Sequence, residues 1–142
     1  MPDLKTYDIF ISHAWRYGNE YTRLVNLLLG AKNFYFRNYS APKEKPLHNL
    51  DSTDVKTKTQ IEKAIDRKIS PVNCVLVISG MYAAYRKWME YEISKAFEMG
   101  KPIIGVEPWG SKRIPEDVIQ FADEMVGWNT DSIVDAIRRL SL

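Results

Sequence analysis

The fold is indicated by the stretch YDIFIS at residues 7–12, which is almost continuously apolar. A strand covered by helices on both faces of a parallel sheet carries such a run, whereas a half-exposed strand alternates apolar and polar residues. A second run of this kind, NCVLVIS, occupies residues 73–79. We therefore expect these two strands to lie side by side at the centre of one sheet.

Further strand patterns alternate with helical patterns along the chain. Strands are predicted at residues 34–40, 102–106 and 124–128, and helices after Asn19, after a cap within residues 51–54, at residues 85–99, from Pro115 and at residues 132–142. Parallel neighbours need crossover connections, which these helices supply. The sequence predicts a single α/β domain over residues 1–142. Its fold is flavodoxin-like and three-layered, with a five-stranded parallel sheet of order 2-1-3-4-5 and helices on both faces.

Composition limits the classes of function. Twenty Lys and Arg against eighteen Asp and Glu give a net charge of +2, too balanced for the phosphate attraction of nucleic-acid binders. No apolar stretch approaches the roughly 20 residues that cross a bilayer, so we expect a soluble cytoplasmic protein with no membrane partner. The single cysteine, Cys74, is predicted to be a buried thiol. With only His13 and His48 as histidines, no metal site is predicted.

A ligand crevice is expected where the strand order reverses, beyond the carboxyl ends of the first and third strands. Ser12, His13 and Trp15 follow the first strand, and Ser79 follows the third. The next helix begins beside these residues. Each also has a structural interpretation, because serines and histidines cap strand ends and a tryptophan packs beneath a loop.

The segment KWMEYEI at residues 87–93 places two glutamates on that helix. Glu92 lies on the same side as Trp88, four residues earlier, whereas Glu90 projects about 160° away from Glu92. The predicted core stripe consists of Tyr85, Met89, Ile93, Ala96 and Phe97. Both glutamates flank this stripe at similar angles, so the indole of Trp88, which would partly desolvate a carboxylate, favours Glu92. The alternative is a boundary glutamate with a solvated carboxylate.

Two segments resemble a known family. TYDIFISHAW at residues 6–15 resembles the first conserved box of TIR domains. RKWMEYEISKAFEMGKPIIGV at residues 86–106 resembles their third-strand helix, in which a tryptophan is followed four residues later by the glutamate of NAD-cleaving members. The chain is most similar to the ThsB-type signalling subunit of Thoeris anti-phage defence systems.

The resemblance implies an enzyme of the NAD glycohydrolase or ADP-ribosyl cyclase type. Such an enzyme splits the nicotinamide–ribose bond and makes a cyclic or conjugated ADP-ribose derivative, which activates a separate effector. It implies a phage-derived trigger, no cofactor other than NAD as the substrate, and a homo-oligomer in which the loop at residues 40–52 completes a neighbour's pocket.

The roles of the residues follow from the same resemblance. Glu92 would stabilise the oxocarbenium-like centre of the ribose. No general acid is needed, because the nicotinamide ring of NAD is already cationic and leaves as a neutral molecule. Trp15 and Trp88 would supply aromatic walls of the site. Ser12, His13 and Ser79 would bond ribose or phosphate oxygens.

Three alternatives remain open. A non-catalytic TIR-like interaction module would keep the fold and use residues 40–52 to assemble. A phosphoacceptor receiver needs clustered acidic residues at the crevice, whereas here only Asp8 occurs, at the start of the first strand. A nucleoside deoxyribosyltransferase would release free base from deoxynucleosides and not from NAD.

Overall fold

The computed structural model describes residues 5–12, 20–39, 55–78, 86–107 and 120–141. Its strands are β1 (Thr6–Ser12), β2 (Tyr35–Asn38), β3 (Cys74–Ile78), β4 (Ile103–Glu107) and β5 (Glu124–Gly127). Its helices are α1 (Glu20–Leu29), α2 (Val55–Ile69), α3 (Arg86–Glu98) and α4 (Thr130–Leu140).

All five strands pair in parallel, in the order β2-β1-β3-β4-β5. β1 and β3 are neighbours, with Ile9 opposite Cys74 and Ser12 opposite Val77. The predicted flavodoxin-like fold and strand order are confirmed. The winding direction reverses between β1 and β3, so their carboxyl ends border the crevice where ligands bind in this class of fold.

The core explains why the two apolar runs occupy the centre. Every residue of β3 is buried, and so are the last four residues of β1. Helices α1 and α4 contact each other, and so do α2 and α3. Since a central parallel strand meets helices on both faces, β3 and the last four residues of β1 are covered on both sides.

Some predicted features differ from the structure or lie outside the part of the chain that it describes. β2 is shorter than the predicted strand at residues 34–40, because among the described strands it is an edge strand whose pairing with β1 covers Tyr35–Asn38. The helix from Pro115 is described only at residues 120–121, which are helical, whereas the cap within residues 51–54 and the loop at residues 40–52 lie outside the described residues.

Glycine ends the helix that carries Glu92. Gly100 has φ of +71°, the amide of Gly100 donates to the carbonyl of Phe97, and the amide of Lys101 donates to that of Ala96. These two hydrogen bonds form a Schellman motif, which favours glycine because a Cβ destabilises positive φ. The motif turns the chain from α3 directly into β4.

The amino ends of the central strands are linked by polar groups. Arg37 Nε on β2 donates to Asp8 Oδ1 at 2.5 Å. The amide of Asp8 donates to Asn73 Oδ1 at 2.8 Å, and the amide of Asn73 donates to the Asp8 carbonyl at 2.6 Å. Asp8 therefore joins β1 to both of its neighbours at the edge of the sheet opposite the crevice.

Candidate functional site

The candidate site centres on a buried carboxylate at the crevice edge of the sheet. Glu92 is 1% exposed, and its Oε1 accepts a hydrogen bond from Ser12 Oγ at 2.7 Å. Ser12 is the last residue of β1 and is completely buried. Among the residues whose side chains the structure describes, they are the two buried polar ones, and 80 positions of sequence separate them. The fold therefore joins two of the sequence-predicted site residues.

Glu92 points inward because the buried face of helix α3 differs from the predicted core stripe. Ile93 and Ala96 are buried as predicted, but Phe97 is 60% exposed and packs edge-on against Phe121. The prediction that Phe97 belongs to the core is therefore wrong. Without Phe97, the centre of the buried face moves toward Glu92, which follows from about 100° of rotation per residue. The solvated boundary position considered for Glu92 is not what the structure shows, whereas Glu90 is exposed.

A buried carboxylate is costly unless hydrogen bonds replace its water. The 2.7 Å distance from Ser12 Oγ to Glu92 Oε1 is within the range of a charge-assisted O–H···O hydrogen bond. Helix α3 packs against β1, β3 and β4, so this acidic side chain lies over the most apolar part of the sheet. An apolar residue at that position would be better for stability alone. An acidic side chain there is typical of a functional group.

A polar contact fixes α3 against α2 next to Glu92. Tyr91 Oη donates to Asp66 Oδ1 at 2.9 Å, and Lys95 Nζ lies 4.0 Å from Asp66 Oδ2. Burial and the hydrogen bond to Asp66 raise the pKa of the Tyr91 hydroxyl above its usual value. The helical pattern alone did not reveal this contact, because it joins two residues 25 positions apart on different helices.

The other predicted site residues cannot be compared with the structure in the same way. His13, Trp15 and Ser79 lie outside the described residues, and Trp88 is described only as part of the helical backbone of α3. Their predicted contacts with a ligand therefore stay predictions. In the ranges that the structure covers, no three His, Cys, Asp or Glu side chains cluster as metal ligands would.

One concave surface lies away from this site. A cavity of about 530 Å³ is lined by residues of α4 and of the turn after α1, including Lys32, Asp131 and Asp135. Arg138, also in its lining, donates to the Asn33 carbonyl at 2.7 Å and lies over the ring of Phe34. This arginine therefore ties α4 to the turn before β2, which is a structural role.

Comparison with known families agrees with the geometry. The family model for the Thoeris protein ThsB, TIR-like domain, matches residues 10–113, well over half of the chain. The chain belongs to this family. The match includes both Ser12 and Glu92, and membership supports a TIR-type signalling role in Thoeris.

Solved structures show the same fold at low sequence identity. The 2-deoxyribosyltransferase of Bacillus psychrosaccharolyticus has a TM-score of 0.62 and 12% identity, over 90% of both chains. The CMP N-glycosidase BcmB of Clostridium botulinum has a TM-score of 0.51 and 14% identity, over 92% of this TIR-like chain and 98% of its own.

The flavoenzyme NAD(P)H:(acceptor) oxidoreductase FerB of Paracoccus denitrificans also has a TM-score of 0.51 and 14% identity, over 97% of this chain and 100% of its own. At these identities the likeness of all three proteins establishes the fold alone. No curated protein sequence gives a significant match to the TIR-like chain. Among the residues that the structure describes, no helix could span a membrane.

Proposed function

We propose that this TIR-like domain cleaves the nicotinamide–ribose bond of NAD and makes an ADP-ribose-derived signal molecule. The observation that carries the proposal is the buried carboxylate of Glu92, held by Ser12 Oγ at the carboxyl end of β1. This is the place where ligands bind in doubly wound sheets. The proposed partners are NAD as substrate, a phage-derived trigger and a separate effector reached by the signal molecule.

The proposed reaction suits a single carboxylate. The C1′–N bond breaks, and its electron pair neutralises the cationic pyridinium nitrogen, so nicotinamide leaves without a proton. Positive charge develops on the ribose, where the Glu92 carboxylate stabilises it more strongly than in the ground state. Water or a hydroxyl group then bonds to C1′ and loses its proton, giving ADP-ribose or a cyclic or conjugated derivative. No cofactor takes part in these steps.

Two lines of comparison support this proposal. The family match extends over both residues of the Ser12–Glu92 pair. Two neighbours in fold carry names that denote deoxyribosyl transfer and N-glycoside cleavage, so this arrangement of strands and helices suits reactions at a bond between a sugar and a base. We propose that His13, Ser79, Trp15 and Trp88 complete the NAD site.

The burial of Glu92 adds a condition on the reaction. A side chain that is 1% exposed cannot contact a dinucleotide, so cleavage requires a state in which Glu92 is uncovered. Assembly of several copies, or binding of a trigger, would supply that state if its binding energy exceeds the cost of opening. We therefore expect the dilute protein alone to release nicotinamide slowly and the assembled protein to release it faster.

The proposal is tested with a matched pair of substitutions on α3. Glu92→Gln keeps the shape of the side chain and removes its charge, whereas Glu90→Gln removes a charge from the exposed face two residues away. Nicotinamide release from NAD is measured by chromatography at high protein concentration, with and without extract of phage-infected cells. We expect Glu92→Gln to lower the rate by about 100-fold or more, the typical effect of removing one group that stabilises transition-state charge.

We expect Glu90→Gln to stay within about twofold of the unsubstituted protein, because its carboxylate does not face the sheet. Equal rates for Glu92→Gln and the unsubstituted protein would show that another group carries the chemistry. If no ADP-ribose derivative forms in any condition, the non-catalytic interaction module becomes the better interpretation. Release of free base from deoxynucleosides, but not from NAD, would favour a deoxyribosyltransferase.

A further inference from the structure

We infer that Ser12 is a positioning residue that fixes the Glu92 carboxylate, and that it does not bind the ribose or phosphates of the substrate as a donor. This inference rests on the proposed function, because it assigns Ser12 a task within the same reaction. It also changes the role predicted from sequence, in which Ser12 bonds ribose or phosphate oxygens.

The argument begins with the protons of the hydroxyl group. A serine hydroxyl has one proton to donate, and Ser12 Oγ donates it to Glu92 Oε1 at 2.7 Å. Phosphate oxygens and Glu92 Oε1 are both acceptors, so they compete for that proton. A bond from Ser12 to phosphate would take this hydrogen bond away from the Glu92 carboxylate, which is unfavourable. The hydroxyl therefore serves Glu92.

The two residues differ in how firmly the backbone holds them. Ser12 is completely buried, and its backbone is in the sheet, opposite Val77 of β3. Its side chain has one rotatable bond to Oγ, whereas Glu92 has three side-chain torsions before its oxygens. A hydrogen bond from a fixed donor to a longer side chain reduces the orientations of the latter. Because the backbone of Ser12 is fixed in the central sheet, its hydrogen bond restricts the position of the Glu92 carboxylate.

Orientation is what this reaction demands of the carboxylate. The stabilising charge must lie near C1′ of the ribose as the bond breaks, and a displacement of about 1 Å in such a group can lower the rate by about 100-fold. Since the substrate need not contact Ser12, its affinity should depend little on this residue. The inference therefore predicts a loss in kcat with little change in KM.

The first test uses Ser12→Ala and Ser12→Thr. We expect Ser12→Ala to lower kcat for nicotinamide release by about 10- to 100-fold and to change KM by less than about threefold. Ser12→Thr keeps the hydroxyl and is compatible with a strand, so it should recover most of the rate. Thermal melts of both variants identify any loss caused by unfolding. A rise in KM at unchanged kcat for Ser12→Ala would overturn the inference.

A second test measures binding without turnover. The dissociation constant of NAD is compared by calorimetry for Glu92→Gln and for the Glu92→Gln, Ser12→Ala double variant. We expect the two constants to agree within about twofold, because Ser12 acts only through Glu92. If Ser12 donated to the substrate directly, losing that hydrogen bond would weaken binding by about 10-fold, and that result would overturn the inference.

A third test does not need NAD cleavage. Crystal structures of the unsubstituted protein, Ser12→Ala and Ser12→Thr are compared at the Glu92 side chain. We expect the carboxylate to leave its position in Ser12→Ala and to keep it in Ser12→Thr. An unmoved carboxylate in Ser12→Ala overturns the inference even if NAD is cleaved. A displaced carboxylate in a protein that never cleaves NAD would support the positioning contact and refute the proposed substrate.

Discussion

The contact between Tyr91 and Asp66 gives a quantitative prediction about how α3 is held. The substitution Tyr91→Phe removes only the hydroxyl that donates to Asp66 at 2.9 Å. A hydrogen bond to a charged acceptor contributes about 1.5–3 kcal/mol when buried. The Asp66 side chain is 32% exposed, so we reduce this figure to about 1 kcal/mol for solvent screening.

That free energy converts into a measurable shift of Tm. Unfolding entropy is about 2.1 cal/mol/K per residue, so for a chain of 142 residues a loss of 1 kcal/mol lowers Tm by about 3 °C. The assay is thermal unfolding followed by circular dichroism at pH 7. Tyr35→Phe is the matched control, since Tyr35 lies on the edge strand and is 57% exposed, and we expect its Tm to change by less than about 1 °C.

The pH dependence of this difference provides an independent check. Burial and the hydrogen bond to Asp66 raise the pKa of Tyr91 in the folded state, whereas an unfolded tyrosine has a pKa of about 10. Above pH 10 the unfolded state therefore binds fewer protons than the folded state, and stability falls as the pH rises. The contribution of the hydroxyl is complete below pH 10 and is lost above it.

We therefore expect the gap in Tm between the unsubstituted protein and Tyr91→Phe to be constant from pH 7 to 9 and to close by about pH 11. The gap should close because each pH unit above 10 lowers the free energy of unfolding of the protein that retains Tyr91 by up to about 1.4 kcal/mol. A Tyr91→Phe variant as stable as the unsubstituted protein at pH 7 would refute the reasoning. A gap that widens above pH 10 would do the same.

Two further substitutions or treatments test other features of the fold. Burial raises the pKa of the Cys74 thiol to about 11, so we expect no reaction with iodoacetamide at pH 8 in the native state and rapid reaction in urea; prompt labelling of native protein would contradict this burial. Gly100→Ala places a Cβ in open space but at φ of +71°, so strain alone should lower Tm, by about 2–4 °C, while the fold persists. An unchanged or higher Tm would show that the turn after α3 relaxes without cost.

The order of the strands was predictable because it depends on composition averaged over whole segments. The runs at residues 7–12 and 73–79 are apolar throughout, and only central strands of a parallel sheet are covered on both faces. Gly100 also marked the end of α3 correctly, because positive φ favours glycine. Such signals are local or additive, so the features that they indicate can be predicted without knowledge of the tertiary contacts.

The details of the site depend on contacts that no local pattern contains. Helix geometry placed Glu90 and Glu92 at similar angles from the predicted stripe, and the position of Phe97 decided between them. An exposed phenylalanine that packs on Phe121 is a tertiary outcome, since Phe121 comes from a distant segment. Likewise, Ser12 was a plausible site residue by its place after a strand, but its bond to Glu92 could not be inferred from their separation in sequence.

Because Ser12 and Glu92 are hydrogen-bonded to each other, each residue lowers the stability of the protein when the other is lost. Where evolution removes the acid, the serine becomes an orphaned hydroxyl in an apolar interior, and a small apolar replacement would then be favoured by selection for stability. Descendants of a common ancestor that abandon the chemistry should thus lose both residues within a short interval, whereas active lineages should keep both. Under the proposed function, retention of both residues in a homologous chain would therefore separate enzymes from binding modules within the family.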